Sequence, residues 1–281
     1  MGEAYAQESY SKFNRHKERG TYDAETIHNI INTTSVLHVS FTDPASPFPV
    51  VLPMIGQVGQ YAEDTEPHLY LHGYVSSRIM KVTSSSSNND NSEDEPQGLP
   101  MTVAATKVDG FVLALSPFSH SYNYRSALVF GHATLLPSSD DPETLWAMEL
   151  ITDSVVPERW QHTRVPPTPS ELTSTRIIKL RIASATAKVR VGPASSERRD
   201  LKDPDVAGKI WQGVVPVWEH FGEPVTTIEA KAAGGGVAVV PEHWAVLALL
   251  LLCFRSVGGV ANDGYYPLAE RGGEDEEEEC L

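Results

Sequence analysis

Two long extended runs, residues 102–116 and 126–136, are separated only by the aromatic and polar stretch 117–125. Runs of that length joined so closely read as paired strands, and further extended segments surround them. Residues 36–41 alternate, with Val36, His38 and Ser40 on one side and Leu37, Val39 and Phe41 on the other. The turn residues Asp43, Pro44 and Pro47 then lead into a second run over 48–55, a hairpin-like pair. Residues 68–73, 176–182 and 186–191 are predicted strands as well. Helical signals are few. Asp23 is placed to cap a helix carrying Ile27, Ile30 and Ile31, a short helix starts at Ser76 or Ser77, and 141–153 puts Leu145, Met148 and Ile151 or Leu150 on one face. Several antiparallel strands with few helices point to a mainly β barrel or sandwich with flanking helices, and away from a βαβ fold.

Composition sets the boundaries. Residues 1–22 are polar and form an N-terminal arm, 23–225 form the domain, and 226–281 form a tail whose structure the sequence leaves open. Residues 84–100 are rich in Ser, Asn and acids and are expected to be a disordered insertion in a surface loop. The formal net charge is -15. Ten of the acids fall in 90–95 and 274–279, so the remainder is only mildly acidic, about -5. That balance argues against broad nucleic-acid binding while allowing a local basic pocket. The two cysteines, Cys253 and Cys280, rule out a disulfide framework for the main body and fit a cytoplasmic protein. No secretory leader is visible in residues 1–10. The apolar run 244–254 has about half of the roughly 20 residues that a membrane span needs, so a buried helix and a weak membrane tail both stay open.

Residues 69–81 carry the clearest chemistry. A strand ends in Gly73, serines open a helix, and Arg78 and Lys81 stand three apart on one helix face, where they can converge on one anion. Free N–H groups and the Ser77 hydroxyl add donors at the helix start. Arg offers a planar fork to phosphate oxygens and Lys a point charge. An ordinary capped surface helix would show the same features. Asn123, Tyr124 and Arg125 supply amide, phenol and guanidinium groups suited to ring edges and hydroxyls, or they form a packed hairpin loop. Lys188 and Arg190 share one strand face, which solvent alone could account for. Trp211 offers a large apolar plate or a core contact, and His72 a hydrogen bond to a ligand or a satisfied barrel histidine. The ten histidines show no metal-binding spacing.

The segment 69–81 resembles the strand-then-Ser-Arg signature of the pyridoxamine-phosphate-oxidase-like superfamily. Residues 19–23, 37–41, 51–54, 120–126 and 129–131, Trp160, Pro166-Pro167, 187–190 and 211–214 are similar, in the same order, to its nitroimidazole-resistance branch. The resemblance spans roughly residues 19–225. It implies a six-stranded antiparallel FMN-binding split barrel, a homodimer with FMN at the subunit interface, and phosphate held by Ser77, Arg78 and Lys81. It also implies Val51 and Met54 along the flavin ring. Many relatives have Lys directly after the Arg where this chain has Ile79, so the clamp is expected to be thinner, with Lys81 or Lys188 compensating.

The function implied is an FMN-dependent oxidoreductase acting on a small organic, nitro-aromatic molecules included, with NAD(P)H as a candidate donor. No residue stands out as a catalytic acid or base. The alternative is a flavin- or haem-binding protein without turnover, for which His72, His220 and His243 are candidate axial ligands.

Overall fold

A computed structural model describes residues 3–87, 97–137 and 141–222. The chain enters through β1 (Gly20–Thr21) and α1 (Ala24–Asn32). It continues through β2 (Leu37–Phe41), β3 (Val50–Met54), β4 (Gly56–Gly59), β5 (His68–Tyr74) and α2 (Arg78–Ser87). The long strands β6 (Leu99–Leu113) and β7 (Ser121–Leu135) follow, then α3 (Pro142–Val155), α4 (Pro169–Ser174) and β8 (Thr175–Arg190). A short strand, β9 (Gly213–Pro216), comes last.

All strand pairs are antiparallel, in the order β3-β2-β6-β7-β8-β5-β4, with β1 on β8 and β9 on β6. The terminal strands β3 and β4 do not pair with each other, so the cylinder stays split. The described sheet has nine strands because short β1, β4 and β9 extend the six longer ones. The sequence places two strands over 176–182 and 186–191, but β8 is continuous. It passes Ala183 where the β7 register slips between Phe130 and Gly131, a bulge that bends the strand without ending it. Of the segment 84–100, residues 88–96 lie outside the described residues, and its two ends belong to regular elements. Helix α2 runs to Ser87 and β6 begins at Leu99. The apolar tail 237–254 lies outside the described residues, among which no helix is long and apolar enough to cross a membrane.

The barrel core follows from the alternation. Leu37, Val39 and Phe41 of β2, Met101, Val103 and Ala105 of β6, Ala127 and Val129 of β7, and Leu180 and Ile182 of β8 all point inward. Helix α1 closes one side with Ile27, Ile30 and Ile31 after Asp23 accepts the Thr26 N–H at 2.8 Å. Ile79 and Met80 of α2 complete the same cluster. Helix α3 makes a second core with Tyr70 and Ile177, burying Ala147, Met148 and Ile151. Leu145 is only half-buried, so this face is rotated from the expected one. The chain divides into units Met1–Val217 and Trp218–Leu281, and every element named here belongs to the first.

An ionic knot ties α3 to the barrel. Lys179 Nζ donates to Asp64 Oδ1 at 2.8 Å and sits 2.7 Å from Glu143 Oε1. The Tyr70 hydroxyl lies 2.8 Å from Glu143 and 3.1 Å from Asp64. The three charged side chains are each at most 18% exposed, so removing one strands the others. Burial works against ionisation of Asp64, but hydrogen bonding and charge from Lys179 outweigh it and lower its pKa. Lys179→Met is expected to cost about 3 kcal/mol in urea unfolding. Because the Asp64 pKa is depressed, its contribution is complete above the ordinary carboxylate pKa of about 4 and is lost as pH falls through the folded-state value. The variant's stability should therefore fall less steeply below pH ~4 than the parent's; an unchanged urea midpoint contradicts the clamp.

Candidate functional site

Strand β5 delivers the chain to the mouth of α2. The Ser77 N–H bonds the Tyr74 carbonyl at 2.9 Å, and the Ser77 carbonyl accepts the Lys81 N–H at 3.2 Å, so Ser77 occupies the capping position. The next N–H groups, those of Arg78, Ile79 and Met80, belong to the first turn and have no intrahelical acceptor. Gly73 leaves the space beside them clear. A Cβ there would lie 2.9 Å from Met80 Cε and 3.7 Å from Ser77 Oγ, with Met54 Cε at 3.8 Å. Ser77 Oγ is buried and has no hydrogen-bond partner. A buried hydroxyl in that state is costly unless something supplies its partner.

Arg78 lies at the rim, about half exposed, and its Nε donates to Asp43 Oδ2. Asp43 is buried, and its other oxygen accepts the Ala45 N–H at 2.8 Å. That backbone bond, then the Arg78 guanidinium, hold the Asp43 carboxyl below its ordinary pKa. The carboxylate therefore fixes Arg78 through Nε and leaves its two terminal nitrogens directed elsewhere. Lys81 is exposed one turn further along α2. Ser77, Arg78, Lys81 and the helix N–H groups form a donor set that fits a phosphate group. Asp43 is the partner that sequence reasoning missed. It is legible as a turn residue, but its bond to a residue 35 positions away leaves no local signal.

The other sequence-predicted residues fall elsewhere. Met54 faces the α2 mouth, whereas Val51 stands on the opposite face of β3 and is exposed. His72 is exposed on the outer face of β5, opposite Ile177. Lys188 is on β8, where Nζ donates to the Arg15 carbonyl at 2.8 Å and lies over Phe13. Asn123, Tyr124 and Arg125 sit within β7, because the turn is confined to Pro117–Ser119 and the strand begins at Ser121. Asn123 is buried and its Oδ1 accepts a bond from Arg190 Nη1 at 2.5 Å. Arg125 grips Asp109 through two hydrogen bonds of 2.7 and 2.9 Å. Trp211 is 64% exposed near that same end, packed over Gly213 just before β9 meets Leu113.

One chain thus holds two separate sets. Gly73 pairs with Arg176 at one end of β8 and Tyr124 with Arg190 at the other, about 45 Å apart along the strand at roughly 3.3 Å per residue. Of the histidines considered as haem ligands, His72 and His220 are exposed, the latter in the second unit, and His243 lies outside the described residues.

Comparison with known proteins agrees with this architecture. The flavocytochrome Anf3 from Azotobacter vinelandii is 23% identical, with TM-score 0.66 over 85% of this chain and 97% of that one. The FAD and heme binding protein from Mycobacterium smegmatis is 24% identical, with TM-score 0.63 over 82% and 97%. At these identities the likeness shows a shared fold. No curated protein matches the sequence. The family description "Pyridoxamine 5'-phosphate oxidase" matches residues 23–189, from the cap of α1 to the end of β8. With more than half of its length matched and an antiparallel split barrel to carry the match, the chain belongs to the pyridoxamine 5'-phosphate oxidase family.

Proposed function

We propose that this protein binds FMN with its phosphate at the mouth of α2 and works as a flavin-dependent oxidoreductase, as a homodimer. The observation that carries the reading is the buried, partnerless Ser77 hydroxyl beside Arg78, at the start of a helix whose first N–H groups are unbonded. Family membership and the flavin named in the two similar structures support it.

In that reading the chain's own groups divide the work. The Ser77 hydroxyl donates to a phosphate oxygen, Arg78 presents its terminal nitrogens, and Lys81 adds charge from the next turn. Asp43 keeps Arg78 from swinging into solvent and offsets part of its charge, leaving Lys81 to restore a net positive site. Met54 and Met80 provide soft apolar contact beside the phosphate. When bound, the flavin carries electrons between a donor such as NAD(P)H and a small organic acceptor. No chain residue is assigned a proton-transfer role.

The second copy explains why the predicted residues fall into two sets. On β3, β2, β6 and β7 the outward-facing strand residues include no Asp, Glu, Lys or Arg, in a chain of net charge -15. Val51, Ser40, Ala104, Leu128 and Tyr124 lie on this surface. An uncharged sheet face of that extent suits a partner with the same face, and pairing two copies across it brings the β7 end of one toward the α2 mouth of the other. A second reading, haem binding without turnover, draws on the similar structures' names, a flavocytochrome and an FAD and heme binding protein, and uses the exposed His72.

Arg78→Ala is expected to weaken FMN binding by about 2–3 kcal/mol, the range for a charge-assisted contact, as followed by flavin fluorescence on release. Equal affinity in variant and parent rejects the assignment. Ser77→Ala should lower FMN affinity by about 1 kcal/mol while leaving the flavin-free protein as stable or more so, since an unsatisfied hydroxyl is removed. A destabilised flavin-free Ser77→Ala protein would show that the hydroxyl serves the fold instead. Ala104→Glu places a charge on the sheet face and should turn a dimer into a monomer in light scattering, with loss of flavin; a dimer of parental size argues for another interface.

A further inference from the structure

Beside the α2 mouth the barrel presents one more cation. Arg176 is the second residue of β8 and pairs directly with Gly73 of β5. Directly paired residues point to the same side of a sheet. Leu69 and Leu71 of β5, with Leu180 and Ile178 opposite them on β8, share that side and enter the barrel core. Arg176 therefore belongs to the inner face, at the end of the barrel where α2 begins. Gly73 marks what lies there, since a Cβ on it would meet Met80 Cε, Ser77 Oγ and Met54 Cε. Paired Cβ positions stand roughly 5 Å apart, a distance that a long Arg side chain crosses, the more easily over a residue without a side chain. The oxygen left without a partner on Ser77 is thus within reach of Arg176.

Two observations single this residue out. Arg176 is half-buried and forms no hydrogen bond or ion pair among the described residues. Of the other β8 cations, Lys179, Lys188 and Arg190 are held by protein acceptors, and Arg181 is exposed on the outer face. A charge partly withdrawn from water and left unpaired is unfavourable until an anion arrives. The second observation is the charge balance. Arg78 and Lys81 less Asp43 leave one net positive charge at the mouth. A phosphate monoester carries about −1.5 to −2 at neutral pH, so one further cation completes the match. The position after Arg78 cannot supply it, because Ile79 is buried in the core, and Lys188 is engaged with the Arg15 carbonyl.

We infer that Arg176 is a phosphate-binding residue that approaches from the sheet while Arg78 approaches from the rim, so that the group is held between guanidinium ions of β8 and α2. The inference rests on the reading that the α2 mouth holds the FMN phosphate. It makes the preference for FMN over riboflavin, which lacks the phosphate, depend on Arg176 as well as on Arg78.

The test is fluorescence titration of the flavin-free full-length protein with FMN and with riboflavin, in the parent and in Arg176→Met, Arg176→Lys and Arg78→Ala. Arg176→Met is expected to bind FMN about tenfold more weakly, the loss of one charge-assisted contact, with riboflavin affinity at the parental value. Arg176→Lys keeps the charge and should recover part of the loss. Flavin-free Arg176→Met should melt no lower than the parent, since no protein partner is lost. Parental FMN affinity in Arg176→Met, with Arg78→Ala weakened, overturns this inference and leaves the α2-mouth reading standing. A parent that does not prefer FMN to riboflavin removes both. Equal loss of FMN and riboflavin, or a lowered melting temperature in both flavin-free Arg176 variants, shows that Arg176 serves the fold and contradicts the assignment.

Discussion

Strands of fifteen and sixteen residues cannot stay flat, and the ladder joining β6, β7 and β8 is the constraint on which the rest of this structure depends. Coiling that ladder into a barrel places its inward residues around one core and turns its register irregularities into features. One break falls between Val108 and Gly110, where β6 leaves β2 behind and takes β9 as its neighbour. The other falls at Phe130 and Gly131, where β8 bends. The shorter strands and helices attach to this frame. Strand β5 pairs with the start of β8 and so delivers Gly73 and Ser77 to the α2 mouth, while α1 and α3 close opposite cores.

Charge is distributed with the same economy. The ion pairs that hold elements together are partly buried: Lys179 with Asp64 and Glu143, Arg125 with Asp109, and Arg78 with Asp43. They differ in consequence. Lys179 is enclosed between two carboxylates and serves the fold, whereas Arg78 has one carboxylate on Nε and is half exposed, so it keeps capacity for an incoming anion. On β3, β2, β6 and β7 the outward-facing strand residues carry no formal charge, and that absence distinguishes this part of the sheet in an acidic chain.

Much of this was legible in the sequence where the signal is local. Asp23 as a cap, the alternation of 37–41, the long paired runs and the strand-to-helix passage at Gly73 to Arg78 rest on spacing between near neighbours. Misreadings arose where tertiary packing overrides composition. The serine run 84–87 continues α2 because Ile79, Met80 and Val82 bury the preceding turns, and β8 survives its interior bulge because both neighbours hold it in register. Asn123 to Arg125 belong to a strand because the turn tightened ahead of them. For the site, Ser77, Arg78 and Lys81 were legible and are together, while Asp43, Met80 and the orphaned state of the Ser77 hydroxyl appear only in three dimensions. The separation of Met54 from Val51 follows from strand parity and needs no tertiary information.

The central claim is that the α2 mouth holds the phosphate of a flavin nucleotide, and the absorption spectrum of the purified full-length protein tests it most directly. Paired bands in the blue and near-ultraviolet, present on isolation or restored stoichiometrically by added FMN, are the predicted result. A protein that is colourless and stays so after soaking with FMN, or that shows only a Soret band, contradicts the account.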